Sequence, residues 1–447
     1  LFQRSNIPLC QKMSVRNEKR TIADPMIEII PHKMKPRCEI TVPGSKSLTH
    51  RILIASALSE GLCRIENALL SEDTVLTMKA LRQMGIPIEE KPGNRLMVYG
   101  GGGDLRASIK QIYLGNSCTS FRLLTAVAAL GKDTYTFLGN DRMAQRPIQA
   151  LIDALQQIGV QARSTKNNGF PPVEVNGKNL FGTTAAVNCR ASSQYLSGLL
   201  LMAPCTAKGL QIEVTEGPVS RPYIDMTIDV MSKFGIAIDR RGYDRFQVIG
   251  NQAYRAGAYE VEADGSQAGY FWAAAAVCRK AVKVKGVNQD SCQGDVHFSR
   301  VLEFMGCTIK HEPDGITVSG GERLRAVEID MGDMPDMVPT LAVAAAFAEG
   351  TTVIKKVPHL KSKESDRLTS VANELKKMGI TARCSDDGLM VTGGQPRGAE
   401  IETYGDHRIA MSFAVAGLAA PGTIIRDEHC VEKSFPNFWQ VFEGLYG

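Results

Sequence analysis

Two basic side chains stand at the start of one predicted helix, in the segment Pro43-Gly-Ser-Lys-Ser-Leu-Thr-His-Arg51. Ser47 and Arg51 are four residues apart, so they share a helix face, and Lys46 lies at its mouth. An ammonium is a compact point charge and a guanidinium is a forked donor, so together they suit phosphate and carboxylate groups. A serine cap beside two solvated cations would have the same sequence. Alone, the segment does not decide between these interpretations.

A denser group lies in Lys363-Glu-Ser-Asp-Arg367. Lys363 and Arg367 are four residues apart and Glu364 is three from Arg367, so one helix face carries two cations and a carboxylate. Surface helices often show such pairs. This segment, however, follows a predicted strand and stands at a helix start, which favours a functional site over a surface salt bridge.

Other polar segments also precede or open predicted helices. They are Leu114-Gly-Asn-Ser-Cys-Thr-Ser-Phe-Arg122, Asp141–Pro147 with Arg142 and Arg146, Ser192-Ser-Gln194, Ser220-Arg-Pro-Tyr223, Met334-Pro-Asp336, Tyr404-Gly-Asp-His-Arg408 and Glu432-Lys-Ser-Phe-Pro436. Each alone is consistent with an ordinary helix cap or a solvated loop. Cys118 stands where a nucleophile could be activated, but no general base is near it in sequence, so we interpret it as a packing residue at a pocket wall.

These helix starts recur at intervals of about 70 residues, which is the length of a whole supersecondary unit. The starts are Ser47, Thr119, Ser193, Ser266, Met337 and His407. A second landmark, an apolar residue followed by glycine at a helix end, keeps the same interval at Gly85, Gly159, Gly235, Gly306 and Gly379. Helix N-termini carry unpaired N–H groups and partial positive charge. Six converging starts would therefore form an anion-binding cleft.

The repeats predict a mixed α/β protein of two domains. Six units are too many for one core, so we divide them three and three, near Val261. Composition is globular, with 44% hydrophobic and 22% charged residues, and no apolar run is long enough for a membrane span. A net charge of +5 is too weak to indicate nucleic-acid binding. Eleven scattered cysteines without a C-x-x-C pair indicate neither a disulfide framework nor a zinc site, and they fit a reducing cytoplasm.

The ordered set of motifs over residues 27–445 resembles the EPSP synthase (3-phosphoshikimate 1-carboxyvinyltransferase) family. The resemblance implies a two-lobed, inside-out α/β barrel of six βαβαββ units, three per lobe, with the chain crossing twice between lobes. One lobe would be residues 44–261, on the shikimate-phosphate side. The other would be 26–43 plus 262–447, on the phosphoenolpyruvate side. We interpret residues 1–25 as a disordered leader, since they lack the apolar region of a secretory signal, with a short organellar transit segment as the less favoured alternative.

The implied reaction transfers enolpyruvyl from phosphoenolpyruvate to the 5-hydroxyl of shikimate 3-phosphate and releases phosphate. By motif matching, the shikimate 3-phosphate site would be Lys46, Ser47, Arg51, Ser192, Ser193, Gln194, Ser220, Tyr223, Asp336, His359 and Lys363. The phosphoenolpyruvate site would be Lys46, Cys118, Arg146, Gln194, Glu364, Arg367, Arg408 and Lys433.

For catalysis, we assign Asp336 as the base toward the hydroxyl and either Glu364 or Lys46 as the proton donor, a choice that stays open. The resemblance implies no metal and no organic cofactor. It also implies a cytoplasmic monomer without nucleic-acid or membrane partners.

Three positions depart from the family pattern. Cys118 stands where glycine is common, Leu123 where proline often follows the arginine, and His359 where asparagine often contacts the shikimate phosphate. Family enzymes are inhibited by glyphosate, which occupies the phosphoenolpyruvate pocket. We hypothesise that Cys118 and Leu123 narrow that pocket and reduce glyphosate sensitivity. A protonated His359 could replace the asparagine contact.

Two other functions compete with this interpretation. The enolpyruvyl transferase that acts on UDP-N-acetylglucosamine shares the repeat fold, but it uses a loop cysteine, and the loop Asp141–Arg146 has none. A catalytically silent anion-binding protein would not need Asp336, Glu364 and Lys46 together.

Overall fold

The computed structural model describes residues 25–31, 34–106 and 109–446. The predicted leader lies outside these residues except for Pro25. The first part of the chain contains β1 (Met26–Ile29), β2 (Arg37–Thr41), α1 (Lys46–Leu58), β3 (Ser59–Glu66), α2 (Glu72–Gln83), β4 (Ile88–Lys91), β5 (Arg95–Gly101), β6 (Gln111–Tyr113), α3 (Cys118–Val127), β7 (Thr134–Leu138), α4 (Gln149–Gln157), β8 (Gln161–Ser164) and β9 (Val173–Asn176). The middle contains β10 (Thr184–Asn188), α5 (Gln194–Met202), β11 (Leu210–Glu216), α6 (Pro222–Lys233), β12 (Ile238–Arg241), β13 (Arg245–Val248), β14 (Tyr254–Arg255) and β15 (Ala258–Glu260).

The remainder contains α7 (Gly265–Cys278), β16 (Ala281–Lys285), α8 (Phe298–Phe304), β17 (Thr308–Glu312), β18 (Gly315–Ser319), β19 (Leu324–Arg325), β20 (Glu328–Asp330), α9 (Val338–Ala346), β21 (Ala348–Glu349), β22 (Thr351–Lys355), α10 (Arg367–Lys377), β23 (Thr381–Cys384), β24 (Leu389–Thr392), β25 (Glu400–Ile401), α11 (His407–Gly417), β26 (Thr423–Arg426) and α12 (Phe438–Glu443). Short 3₁₀ turns at Met143–Gln145, Pro335–Met337, Pro358–Ser362 and Glu428–Lys433 carry or flank several of the predicted site residues.

One folding pattern recurs along the chain. Two strands joined by a buried helix pair in parallel, as in β6–α3–β7 and β10–α5–β11. An amphipathic helix and an antiparallel hairpin then extend the sheet, as β8 and β9 do beside β7. The glycines predicted to end the amphipathic helices all have positive φ, from 81° at Gly379 to 104° at Gly306. The predicted helix–strand repeat is therefore present, and the mixed α/β class is confirmed.

Two units exchange their first strands. β2, which precedes α1, pairs in parallel with β16, which follows α7. β15, which precedes α7, pairs in parallel with β3, which follows α1. The two crossing segments run side by side, since the Ser45 amide donates to the Glu262 carbonyl at 2.8 Å and the Asp264 amide donates to the Pro43 carbonyl at 3.0 Å. The chain thus passes between two bodies at one place.

Each body has its own apolar core. One core is built from residues between 48 and 261, and the other from residues 29–42 and 263–445. We refer to these as the first and second body. The Ala- and Leu-rich helices α1, α3 and α5 are almost wholly buried in the first body, and α7, α9 and α11 in the second. Small side chains allow this, since α3 and α5 approach so closely that a Cβ on Gly198 would lie 3.0 Å from that of Ala126.

Within the described ranges, no helix combines the length and the apolar character that a membrane crossing requires.

Candidate active site

A cavity lies between the two bodies, at the N-terminal ends of buried helices from both. Its lining is Lys46, Ser47, Asp73, Cys118, Thr119, Arg146, Ala191, Ser192, Ser193, Gln194, Val219, Ser220, Tyr223, Asp336, His359, Lys363, Glu364, Arg367 and His407. Helix N-termini present unpaired N–H groups and partial positive charge. The arrangement suits an anionic ligand.

The helix starts are fixed by caps that reach across the molecule. The Ser45 side chain accepts from the Leu48 amide at 3.4 Å, and Asp264 of the second body accepts from the Lys46 amide at 2.9 Å. In the second body, Asp406 caps α11 by accepting from the Arg408 amide at 3.0 Å. The N-terminal caps therefore fix the positions of Lys46 and Arg408 as well as the starts of the two helices.

Asp336 is the carboxylate on which two charges of the second body and a hydroxyl of the first body converge. Its oxygens accept from Arg367 at 2.8 Å, from Arg408 at 3.0 Å and from the Tyr223 hydroxyl at 3.1 Å. Burial raises the pKa of the Asp336 carboxyl, but the charges of Arg408 and Arg367 outweigh burial and hold that pKa well below its usual range. Asp336 is thus an ionised acceptor at neutral pH, as a general base must be.

Arg367 organises the second-body side of the cavity. It is 2% exposed and bonds Asp406 at 2.8 Å, Asp336 at 2.8 Å and Glu364 at 2.9 Å. A buried charge is tolerated only when it is paired and hydrogen-bonded. The three carboxylates meet that need, and in return the fixed fork of Arg367 sets the positions of Asp336 and Glu364.

Glu364 joins this group to the first body. One oxygen bonds Arg367, and the other lies 3.5 Å from Arg146 Nη1. Burial raises the pKa of Glu364, but the charges of Arg146 and Arg367 hold it well below its usual range. Glu364 is therefore ionised here, and it must first gain a proton before it can donate one.

A third carboxylate, Asp73, lies between two lysines. Lys46 Nζ is 2.9 Å from one oxygen, and Lys433 Nζ is 2.6 Å from the other. Lys433 also donates to the Asn116 carbonyl at 2.8 Å. Because Lys433 belongs to the second body and Asp73 to the first, this contact also joins the two bodies.

Neutral donors and acceptors cover the first-body wall. The Gln194 amide donates to the Thr119 hydroxyl at 2.9 Å and accepts from Arg122 at 3.1 Å. At the far end, the Ser220 hydroxyl lies 3.5 Å from His359 Nε2 of the second body. Ser220 has φ of 56°, a left-handed conformation that is uncommon for serine and aims it into the cavity.

The chain as a whole matches known proteins. A family model described as EPSP synthase (3-phosphoshikimate 1-carboxyvinyltransferase) matches residues 33–442. The 3-phosphoshikimate 1-carboxyvinyltransferase of Syntrophobacter fumaroxidans is 43% identical over 411 residues, which cover 92% of this chain and 97% of that protein. The chain belongs to the EPSP synthase family.

Further relatives agree with this membership. The protein of the same name from Methanoculleus marisnigri is 43% identical over 406 residues, 91% of this chain and 95% of that protein. An EPSP synthase structure from Acinetobacter baumannii superposes with a TM-score of 0.79 at 30% identity, covering 93% of this chain and 97% of that one. The enolpyruvyl transferase NikO from Streptomyces tendae, at 21% identity, shares the fold with a TM-score of 0.76, over 94% of this chain and 96% of that one.

Most residues predicted from the family motifs lie at this cavity, but three contact it indirectly or not at all. Among the described residues that line it, Arg51, Arg408 and Lys433 are not found. Arg408 and Lys433 bond the lining residues Asp336 and Asp73. Arg51 is buried and donates to the Thr227 hydroxyl and the carbonyls of Ser47 and Tyr223. In this arrangement, Arg51 supports the wall behind Ser47 and does not present its guanidinium to the cavity.

The positions that depart from the family pattern behave differently from one another. Cys118 lines the cavity and is 5% exposed. Leu123 is fully buried in the core of the first body and is not among the described residues that line the cavity. In the hypothesis, Leu123 therefore affects the pocket only indirectly, through the position of α3.

His359 lies at the cavity, as its motif position requires, but in a different charge state from the one predicted. Burial, together with the charge of Lys363, lowers the pKa of His359 to about 3. The imidazole is thus neutral at physiological pH, and any contact it makes with an anion there is as a neutral N–H donor unless the ligand itself raises the pKa.

Sequence reasoning named Thr119 and His407 only as helix starts and gave Asp73 no role, yet all three line the cavity. Asp73 follows the capping-box serine of α2, a signal that was visible in Ser71-Glu-Asp-Thr74 but identical to an ordinary helix start. His407 is buried, and neither ring nitrogen has a hydrogen-bond partner within the described part of the chain. Burial lowers its pKa well below the usual range, so it is a neutral side chain at the cavity wall.

Proposed function

We propose that this protein transfers the enolpyruvyl group of phosphoenolpyruvate to the 5-hydroxyl of shikimate 3-phosphate, releasing phosphate in the pathway to chorismate and the aromatic amino acids. Family membership supports this reaction. The observation that carries the proposal is the cavity, where an ionised Asp336 lies among cations and hydroxyls contributed by both bodies. Both substrates are anions with several charges, and such a lining suits them.

The residues at the cavity would form two adjoining substrate sites. Lys46, Ser47 and the polar residues Ser192, Ser193, Gln194, Ser220 and Tyr223 would hold shikimate 3-phosphate, with Asp336, His359 and Lys363 opposite. Lys46, Gln194, Arg146, Glu364 and Arg367 would hold phosphoenolpyruvate beside Cys118, with Arg408 and Lys433 adjacent. Arg51 would act through Ser47 and Tyr223.

In the first step, the 5-hydroxyl oxygen would bond to C2 of phosphoenolpyruvate while its proton passes to Asp336. C3 would take a proton from Glu364 or Lys46, giving a tetrahedral adduct. In the second step, C3 would return a proton to the group that supplied it and the C2–O bond to phosphate would break, which restores the double bond, while the departing phosphate takes the proton held by Asp336. Fixed guanidinium and ammonium groups stabilise the charge that develops on the phosphate and carboxylate, so positioning and electrostatics supply most of the rate gain.

The two bodies would be the lobes of the enzyme, with residues 44–261 on the shikimate-phosphate side and 26–43 plus 262–447 on the phosphoenolpyruvate side. Contacts such as Arg142 to the Lys363 carbonyl, at 2.6 Å and 3.0 Å, would hold the lobes together over the substrates. The proposal includes a cytoplasmic monomer that works without a metal or an organic cofactor.

Phosphate release tests the proposal. The protein is incubated with phosphoenolpyruvate and shikimate 3-phosphate, with phosphoenolpyruvate and UDP-N-acetylglucosamine, and with phosphoenolpyruvate alone. Release that requires shikimate 3-phosphate is the expected result. Release only with the uridine sugar would assign the other enolpyruvyl transfer, and release with neither acceptor would reject the enzyme role.

Reduced glyphosate sensitivity is a further part of the proposal, and it depends on Cys118. Its side chain occupies the cavity wall where the family usually has glycine, so it takes space from a ligand in the phosphoenolpyruvate pocket. Cys118→Gly should lower the glyphosate concentration that gives half inhibition, and Cys118→Ala should give an intermediate value. Equal inhibition of the unaltered protein and the two variants would contradict the proposal that Cys118 reduces glyphosate sensitivity.

A further inference from the structure

Asp73 is a buried carboxylate that no motif prediction and no step of the proposed mechanism uses. Its side chain is 3% exposed, while those of Lys46 and Lys433 are 13% and 6% exposed. Each of its oxygens takes a different lysine, at 2.9 Å for Lys46 and 2.6 Å for Lys433. Both lysines belong to the predicted phosphoenolpyruvate clamp, so a single carboxylate connects two of its charges.

The carboxylate is held in place by its own helix and by the next one. Asp73 lies in the first turn of α2, where the helix dipole favours a negative charge. Its carbonyl accepts from the Ser120 hydroxyl at 3.2 Å, and Ser117 and Ser120 bond each other at 2.6 Å. The start of α3, which contributes Cys118 and Thr119 to the cavity, is thereby tied to the residue that holds the lysines.

The electrostatics require a group of this kind. The ammonium groups of Lys46 and Lys433 lie on one carboxylate in a poorly solvated place. Without that carboxylate, the two positive charges would repel each other at close range. Burial lowers the pKa of Lys433, but the charge of Asp73 outweighs burial, and the pKa lies above its usual value. The same two lysines hold Asp73 ionised, since they lower its pKa although burial raises it. The two lysines therefore keep Asp73 ionised, and Asp73 in turn keeps Lys433 charged.

We propose that Asp73 is a positioning residue for the phosphoenolpyruvate clamp, holding Lys46 of the first body and Lys433 of the second at the spacing that the substrate's anionic groups require. This inference rests on the proposed function. A plain structural salt bridge between the bodies is the competing explanation, and the two differ in what a neutral replacement would change. A structural role affects stability, whereas a positioning role affects the affinity for one substrate.

The test uses Asp73→Asn, which keeps the shape and removes the charge. Asp314→Asn is the matched control, because Asp314 pairs with Lys283 at 2.6 Å on the outer sheet of the second body. KM for each substrate, kcat and the thermal unfolding midpoint are measured for both variants. We expect Asp73→Asn to raise KM for phosphoenolpyruvate on the order of 10-fold or more, and more than KM for shikimate 3-phosphate, because misplaced charges weaken binding and orientation. The control should leave every constant within about twofold.

Several results would overturn the inference. One is a KM for phosphoenolpyruvate within twofold of the unaltered protein, and another is a lowered unfolding midpoint with unchanged KM values. If Asp73→Asn does not fold, Asp73→Glu is judged by the same criteria, since it keeps the charge but moves it by one methylene. Turnover by the unaltered protein separates the two claims. If the unaltered protein shows no turnover, the proposed function fails. In that case the inference is tested by calorimetric binding of phosphoenolpyruvate: weaker binding to the Asp73 variant than to the control supports it, and equal binding overturns it.

Discussion

The two walls of the cavity are built from different chemistry. The first-body wall has the larger share of neutral groups, such as the hydroxyls of Ser47, Thr119 and Ser220 and the amide of Gln194, beside the charged Lys46, Asp73 and Arg146. The second-body wall carries the ionised network in which Arg367 bonds three carboxylates. Removing one neutral hydrogen-bond donor costs a modest amount of binding free energy. Removing one member of a buried ionic network costs much more, because it leaves the other charges unpaired. The comparison indicates that the first-body wall supplies most of the neutral groups for substrate recognition, and that the second-body wall supplies most of the ionised groups, including the proposed base.

Removing the central carboxylate of the second-body wall should have the largest effect. Asp336→Asn removes the proposed base and leaves Arg367 and Arg408 without their shared partner. We expect kcat to fall about 10³-fold, as for the loss of a general base. Asp330→Asn is the control, because Asp330 pairs with Lys356 at 2.7 Å on the surface of the same body. Turnover of Asp336→Asn within tenfold of the unaltered protein would contradict the division between the walls.

The proton donor can be assigned by comparing Glu364→Gln with Lys46→Met. Both should lower turnover on the order of 100-fold, because each change removes a candidate proton donor that is held by a buried ion pair, Glu364 with Arg367 and Lys46 with Asp73. In D₂O with both substrates, deuterium uptake at C3 of phosphoenolpyruvate reports the protonation step directly. Uptake should stop in the variant that lacks the donor and persist, more slowly, in the other. Near-normal turnover in both variants would remove both assignments.

Removing a neutral contact from the first-body wall should have a smaller effect, and the effect should be on substrate binding. Ser220→Ala removes one hydroxyl beside His359. We expect KM for shikimate 3-phosphate to rise roughly 5- to 10-fold with kcat within threefold, the size of one lost hydrogen bond. Ser232→Ala, at an exposed position of α6, should change neither constant. A fall in kcat comparable to that of Asp336→Asn would contradict the proposed difference between the walls.

The smallest effect concerns the stability of the second-body wall in mild acid. His359 is neutral in the folded protein because its pKa is lowered to about 3, whereas in the unfolded chain it takes a proton below about pH 6.5. The unfolded state therefore binds the extra proton, and stability falls as the pH falls through this window, by roughly 1.4 kcal/mol per pH unit. His359→Asn should remove that contribution from the pH dependence of urea unfolding.

His50, also buried with its pKa lowered to about 3, should leave a similar contribution in place. His429→Asn is the surface control, since that side chain is 64% exposed. An identical slope in His359→Asn and the unaltered protein would contradict a lowered pKa of His359, because the slope reports the difference in bound protons between the unfolded and folded states.

The sequence predicted the fold class and much of the site because both depend on local rules. Helix caps, glycines after helix ends and the recurring interval could be found by inspection, and the structure places Lys46, Glu364 and Arg367 together. The exchange of β2 and β15 between the bodies could not be derived from local pattern, because parallel partners are far apart in sequence. Only the family resemblance indicated it.

The charge states could not be predicted for a related reason. Whether His359 is neutral or Asp336 ionised depends on burial and on neighbours from other elements. Arg51 shows the same limitation, because its spacing relative to Ser47 is compatible with a ligand contact, but its hydrogen bonds go to Thr227 and to backbone carbonyls. Asp73 was missed because an acidic residue in a first helical turn is ordinary in sequence, and only the fold brings Lys433 to it.

The most direct test of the central claim follows the substrate carbon itself. Phosphoenolpyruvate labelled with ¹³C at C2 is mixed with shikimate 3-phosphate and protein, and the label is observed by NMR while free phosphate is quantified. We predict that the label appears in an enol ether bonded to the shikimate oxygen, with one phosphate released per transfer, and that Asp336→Asn slows this about 10³-fold. A label that remains in phosphoenolpyruvate or appears in pyruvate, with the unaltered protein folded, would contradict the account.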